Sequence, residues 1–419
     1  MPAAGGTPEK LVDMEGGELH SLSPDGKWLA YKDRQGLHLY GMSDRRNFRV
    51  TPPDGVGTFH SWSKDGGKML FCRSSYEWKS LLRVGSTSGG PTFQLARGLD
   101  LWPYNQFWAA DSDKIITHRA GDSKLVVISL SGGEPVPLDL GAASEEDAKP
   151  LVFSPDLRRL AFAVERDGQN EDLYTIPVTL GGRGTAGPPV VVFKDWDRRQ
   201  VLTQMSFSPD GQKIALIHKG DLWLTSAKEE KPVQLIKSPE IEGGPRWSPR
   251  GDRILFNSMI KAGDTRLKVI SAAGGEASTL WSPGERHCWS PDGKAVTVAS
   301  DRKLFNVPLD GGKPKELLDL GGQEITDRLW DLTWLRDGKH IAFMAEPESD
   351  RGARSLICIA SIETGKITRL ASDDRSWKDG FFLSPDGKWV SYYTDDFIKT
   401  RPTSTIWEVK VADLVKEKK

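Results

Sequence analysis

Cysteine is scarce in this chain: three residues in 419, Cys72, Cys288 and Cys358, each in a different stretch. Three dispersed cysteines cannot build a disulfide framework, so they are expected as buried free thiols and stability must come from packing. An excess of charge of either sign is missing too. With 57 Lys and Arg against 58 Asp and Glu the net charge is −1, and no global field points to a nucleic-acid partner. No apolar run approaches the roughly 18 residues that a membrane-spanning helix needs, so no membrane insertion is expected. The opening "MPAAGGTPEK" lacks the charged and apolar regions of a signal peptide. The expected compartment is the cytoplasm if Met1 is the natural start, and the periplasm or a larger protein if the chain has been excised.

Catalytic and cofactor signatures are also lacking. There is no P-loop, no His-Glu-x-x-His and no Cys-x-x-Cys, and no cofactor is expected. The nearest approach to a Gly-x-Ser-x-Gly nucleophile elbow is Gly85-Ser86-Thr87-Ser88-Gly89, which has Thr at the centre and lies in a turn.

Turn residues, by contrast, abound: 43 Gly and 26 Pro. Many belong to one recurring phrase. "SLSPDGKWLAY" at 21 returns as "SWSKDGGKMLF" at 61, "VFSPDLRRLAF" at 152, "SFSPDGQKIAL" at 206, "RWSPRGDRILF" at 246, "CWSPDGKAVTV" at 288, "TWLRDGKHIAF" at 333 and "FLSPDGKWVSY" at 382, with a worn copy "FWAADSDKIIT" at 107. Pro presets one turn dihedral, Asp bonds its own backbone, and Gly takes the left-handed position. Aromatic and β-branched residues on both sides predict strand, turn, strand. Successive copies are 40 to 54 residues apart. Each is followed by two further β-rich segments, such as "DLWLTSA" and "VQLIK". Four strands per repeat, A to D, at a period in the forties is the length of a propeller blade.

The aromatic-Ser-Pro-Asp-Gly-Lys phrase resembles the TolB-like, WD-repeat-like propellers, and the resemblance covers essentially the whole chain. It implies an all-β closed propeller of nine four-stranded blades, or eight if the copy at 107 is an irregular insertion. The expected domain is single, 1–419, with ragged tails at 1–8 and 413–419. The C-terminal blade lacks an outer strand, and "EKLVDM" at 9–14 is expected to supply it beside 405–411, closing the ring.

Strand alternation puts the Ser-Pro-Asp-Gly turns and the Gly-rich C–D turns at one end of each repeat, and the B–C loops and D–A connections at the other. The second set varies in length and composition, and variable loops on a rigid scaffold are where binding groups stand. Its D–A connections carry Trp102, Trp196, Trp330 and Trp377, with Tyr104, Arg198, Arg199, Arg375 and Asp379 nearby. These are residue types that anchor peptide or sugar ligands. The competing reading makes each Trp a gap-filler between blades.

His20, His60 and His287 share a register before the turn and are weak candidate metal ligands, given that some propeller lyases use histidines and manganese; packed histidines are the simpler reading. Propellers of the resembled kind also precede the catalytic domain of prolyl-oligopeptidase-like peptidases. The favoured expectation is a non-catalytic, monomeric binding platform for a protein or peptide, with a glycan as a further ligand class. The alternative is a channel-mouth enzyme such as a metal-dependent polysaccharide lyase or glycosidase.

Overall fold

The computed structural model describes residues 9–15, 18–51, 57–74, 80–88, 92–95, 107–108, 113–119, 125–131, 134–138, 148–165, 170–178, 187–197, 205–261, 264–282, 286–348, 356–370, 376–377, 381–383, 389–396 and 403–410. They form eight four-stranded antiparallel sheets, each drawn from one repeat in chain order, and one five-stranded sheet that joins the last repeat to the N-terminal strand. Sheet five, for example, runs Met205–Phe207, Lys213–His218, Asp221–Ser226 and Val233–Gln234. No helix among the described residues is long and apolar enough to cross a membrane.

The repeated turn explains why these segments pair as they do. The Ser208 hydroxyl donates to Asp210 Oδ1 at 2.6 Å and accepts from the Lys213 N–H at 2.9 Å, while Asp210 Oδ1 also accepts from the Gln212 N–H. Ser23 with Asp25, Ser63 with Asp65, Ser154 with Asp156 and Ser290 with Asp292 repeat the circuit at 2.6 to 2.7 Å. Where Arg250 replaces the Asp, Ser248 reaches Asp252 instead, at 2.8 Å. Gly211, Gly251, Gly293 and Gly338 hold the left-handed position at φ of 65° to 72°, and Leu157 takes the same conformation at 61°.

The expected pairing of the N-terminal strand is present: Glu9–Glu15 lies antiparallel to Thr403–Lys410, with Glu9 opposite Glu408 and Glu15 opposite Thr403. The expected closed propeller, whether of nine blades or eight, is corrected. Among the described residues the sheets are separate, with no ladder joining one to the next, and the chain divides into two compact units. One comprises Met1–Arg73, Arg83–Phe93 and Arg286–Lys419, the other Ser74–Leu82 and Gln94–Glu285. The all-β class stands; the single closed ring does not. The repeat encodes each sheet through local turns and alternation, whereas closure depends on how whole sheets face one another, which no repeat spells out.

Inside each unit, consecutive sheets share apolar seams. In the second unit Ala215, Ile217 and Leu222 of sheet five meet Trp247, Ile254 and Phe256 of sheet six. In the first, Leu304 and Leu318 meet Ile341, Phe343 and Cys358. In these two seams the Trp before the turn adds an indole N–H bond: Trp247 donates to the Ser206 carbonyl at 3.0 Å and Trp334 to Thr297 Oγ1 at 2.9 Å. Of the cysteines, Cys358 is buried and Cys288 half-buried; the side chain of Cys72 lies outside the described residues.

Candidate functional site

The loop ends of sheets five and six, in the second unit, carry a network of linked polar side chains. Sheet six consists of Ile241–Trp247, Arg253–Lys261, Asp264–Ser271 and Ser278–Trp281. The connection entering it, 237–240, cannot form a strand at once because Pro239 lacks an N–H. Side chains take up the hydrogen bonding instead. Ser238 donates its hydroxyl to Glu242 Oε1 at 2.8 Å and its N–H to Asp221 Oδ1 at 3.2 Å, and Gln234 donates to Asp221 Oδ2 at 2.7 Å. The Glu242 N–H reaches back to the Gly220 carbonyl at 2.7 Å, fixing the connection against the Lys219-Gly220 turn.

Register then lines up the partners. Glu242 stands opposite Ser258, and Ser258 opposite Arg266 on the next strand. Glu240 accepts from the Ser258 hydroxyl and from Lys268 Nζ, with Arg266 Nη1 at 3.9 Å. The Lys268 and Ser258 hydrogen bonds hold the Glu240 carboxyl below the usual carboxylate range. Burial pushes Glu242 the opposite way, against the Ser238 bond, and its Oε2 is buried with no hydrogen-bond partner. Two carboxyls driven apart in this way form an acid and base pair in principle. Glu242 is 1% exposed, and the bonds of both carboxyls hold the connection in place.

A second polar group stands in the first unit, where sheet eight runs Ile325–Trp334, His340–Pro347, Leu356–Ser361 and Ile367–Arg369. Thr326 Oγ1 donates to the buried Glu346 Oε2 at 3.0 Å, with Arg328 Nη1 3.8 Å from Oε1. Nearby in sequence, Arg302 binds Glu348 at 2.7 Å and the Gly321 carbonyl at 2.8 Å. In the same unit His38 Nε2 lies 3.0 Å from Asp33 Oδ1, and its ring stacks on Tyr31 at 5.0 Å. Burial lowers the pKa of His38 despite Asp33 and pushes that of Tyr31 up to about 12.

The sequence-predicted binding residues fare unevenly. Trp196 is 2% exposed, donates its indole N–H to the Ile217 carbonyl at 2.8 Å and packs with Phe193, Met205 and Leu216. It fills the seam between sheet five and sheet four, which runs Ala148–Phe153, Arg159–Glu165, Asn170–Pro177 and Val190–Asp197. Trp330 is half-buried in the first strand of sheet eight, beside Asp331 in a left-handed conformation at φ 54°. Trp377 forms a short strand whose backbone pairs with Asp395; its side chain, and all of Trp102, Tyr104, Arg198, Arg199, Arg375 and Asp379, lie outside the described residues. Trp196 belongs to one compact unit, Trp330 and Trp377 to the other.

The three histidines share a sequence register but not a backbone geometry. His20 and His60 are the extra residues of β-bulges, between Leu19 and Ser21 and between Phe59 and Ser61, whereas His287 pairs regularly with Val298. Among the described residues no three His, Cys, Asp or Glu side chains are grouped to hold a metal ion. Glu240, Glu242, Ser258 and Lys268 escaped the sequence reading because no motif joins them. The alternating carboxylates of "PEIEGG" at 239–244, placed where a strand begins, were the available signal.

No family profile matches the chain. Over 206 residues it is 26% identical to an uncharacterized peptidase of Bacillus subtilis, YuxL, a match covering 46% of this chain and 29% of that protein. Over 221 residues it is 25% identical to an uncharacterized protein of Agrobacterium fabrum, Atu1656, covering 50% of this chain and 67% of the relative. The matched region thus spans under a third of the first relative and about two thirds of the second. Among solved structures, a eukaryotic initiation factor shares the fold at 11% identity with a TM-score of 0.57, covering 84% of this chain and 87% of the factor. At that identity the likeness to the factor is one of fold alone.

Proposed function

We propose that this chain is a non-catalytic binding module that recognises a protein or peptide partner through the loop ends of its sheets, with a glycan as the second ligand class. The observation supporting this reading is the contrast between the two ends of sheets five and six. At the turn end each polar circuit closes on itself within six residues, as from Ser208 to Lys213. At the loop end, Arg266 is 41% exposed in its side chain beside the Glu240 network, and groups of both charges stand ready for a partner. One relative is named a peptidase, but this sequence carries no Gly-x-Ser-x-Gly elbow, which weighs toward binding without hydrolysis.

The test is a peptide and glycan array probed with the labelled full chain, followed by variants. Arg328→Ala with Trp330→Ala, or Arg266→Ala, should weaken capture at least ten-fold. Arg250→Ala with Lys294→Ala, at exposed positions of the turn ends, should leave capture unchanged. Loss through the turn-end pair alone, or release of reducing sugar from a polysaccharide supplied with manganese, would overturn the reading.

A further inference from the structure

Five large apolar side chains are exposed among the described residues, and three of them meet at one place: Ile241 at 56%, Met259 at 37% and Ile260 at 40%. Ile241 is the cross-strand partner of Met259 at the loop end of sheet six, and a register shift after Met259 leaves Ile260 without a partner of its own. Single exposed apolar residues are ordinary, but a contiguous group with a polar rim marks an interaction site.

The rim carries three lysines, with Glu240 next to Ile241 in sequence and Asp264 across the ladder from Lys261. Lys219 belongs to the turn whose Gly220 lies against Ile241, Lys237 opens the connection into the strand, and Lys261 follows Ile260 in the hairpin. All three are exposed, and no carboxylate of the described residues lies within ion-pair distance of them. Some other lysines are matched, Lys194 to Glu230, Lys231 to Glu229, Lys303 to Glu316 and Lys339 to Glu363, whereas the exposed Lys64, Lys228 and Lys313 stand outside any ion pair as these three do.

We infer that Ile241, Met259 and Ile260, rimmed by Lys219, Lys237 and Lys261, form the docking spot for an acidic peptide segment carrying apolar side chains. The inference rests on the binding-module reading and narrows it to one hairpin and one partner chemistry. Apolar anchors supply affinity and unmatched lysines supply steering and selection. A second copy is disfavoured as occupant because two such patches would bring six lysines together. An anionic bilayer is disfavoured because Glu240 and Asp264, at the same end of the sheet, would face it; a peptide can set its carboxylates over the lysines alone.

The probe is a dye-labelled peptide alternating leucine with glutamate, titrated with the full chain by fluorescence anisotropy. Native chain should bind, more weakly as salt rises. Ile260→Asp should weaken binding at least ten-fold, and Lys219→Glu with Lys261→Glu about as much, at unchanged melting temperature because these side chains are exposed. No binding by the native chain, or equal binding by the variants, overturns the inference. So does cosedimentation with phosphatidylserine vesicles in place of peptide binding, or a dimer that Ile260→Asp abolishes. An array partner that survives Ile260→Asp but is lost with Arg328→Ala and Trp330→Ala would refute this spot while leaving the binding-module reading standing; an array that yields no ligand would refute both.

Discussion

The two ends of sheets five and six are built on opposite principles. The turn end is local: Ser208, Asp210, Gly211 and Lys213 complete their circuit within one turn, and Ser290 with Asp292 repeats it elsewhere with no change of design. The loop end is assembled from afar. Glu240 is bound by Ser258, 18 residues on, and by Lys268, 28 residues on, while Trp196 of sheet four anchors to Ile217 of sheet five. The first arrangement resists change at any one repeat because the others stand unaffected. The second concentrates consequence in single residues.

The sharpest way to break this contrast is Trp196→Ala. If the indole is a seam residue, its loss should cost about 3–5 kcal/mol, read as a fall in the urea midpoint; an unchanged midpoint would return it to the surface. Ser208→Ala should cost less, about 1–2 kcal/mol, because it removes the partner of the part-buried Lys213 N–H and frees Asp210. Gly338→Ala should cost about 1 kcal/mol. Nothing lies within 4 Å of the added Cβ there, so the whole cost comes from the left-handed backbone at φ 65°.

The pH dependence separates the ends with smaller effects. Asp210 and Asp292 sit below the ordinary value of 3.8 because the Ser208 and Ser290 hydroxyls, and then the Gln212 and Lys294 N–H groups, bind the charged form. Their folded-state pKa values are depressed, so their contribution is present above pH about 4 and fades as pH falls through the lowered values. Thermal melts of Asp210→Asn should show a weaker acid dependence than native chain. Glu242 behaves with the opposite sign. Burial raises its pKa, so the neutral form suits the fold and stability is lost as pH rises through the raised value. Glu242→Gln should therefore raise the melting temperature near pH 8 and leave it little changed near pH 4. A gain of equal size at both pH values would show that the carboxyl does not titrate there.

Much of the architecture was legible. The strand-turn-strand phrase, four strands per repeat and the pairing of residues 9–14 with the C-terminal strand all follow from alternation and turn chemistry acting over a few residues. The loop-end site was legible only as a region. Its connections stood out by variety, but aromatic content drew attention to Trp196, which proves to be core, and away from Glu240 and Glu242, whose partners lie two strands distant.

What the chain determined by itself is the set of sheets, because Ser, Pro, Asp and Gly close each turn through bonds between residues at most five apart, and period-two alternation then selects the faces. Only the tertiary structure decided that the sheets divide between two compact units instead of joining in one ring. It also decided that Trp196 is swallowed by a seam, that Glu242 is buried with an unpaired oxygen, and that Ile241, Met259 and Ile260 are left in solvent. Each of these depends on which residues distant in sequence arrive at the same place, and the free energy of such contacts is shared among many side chains without a local signature.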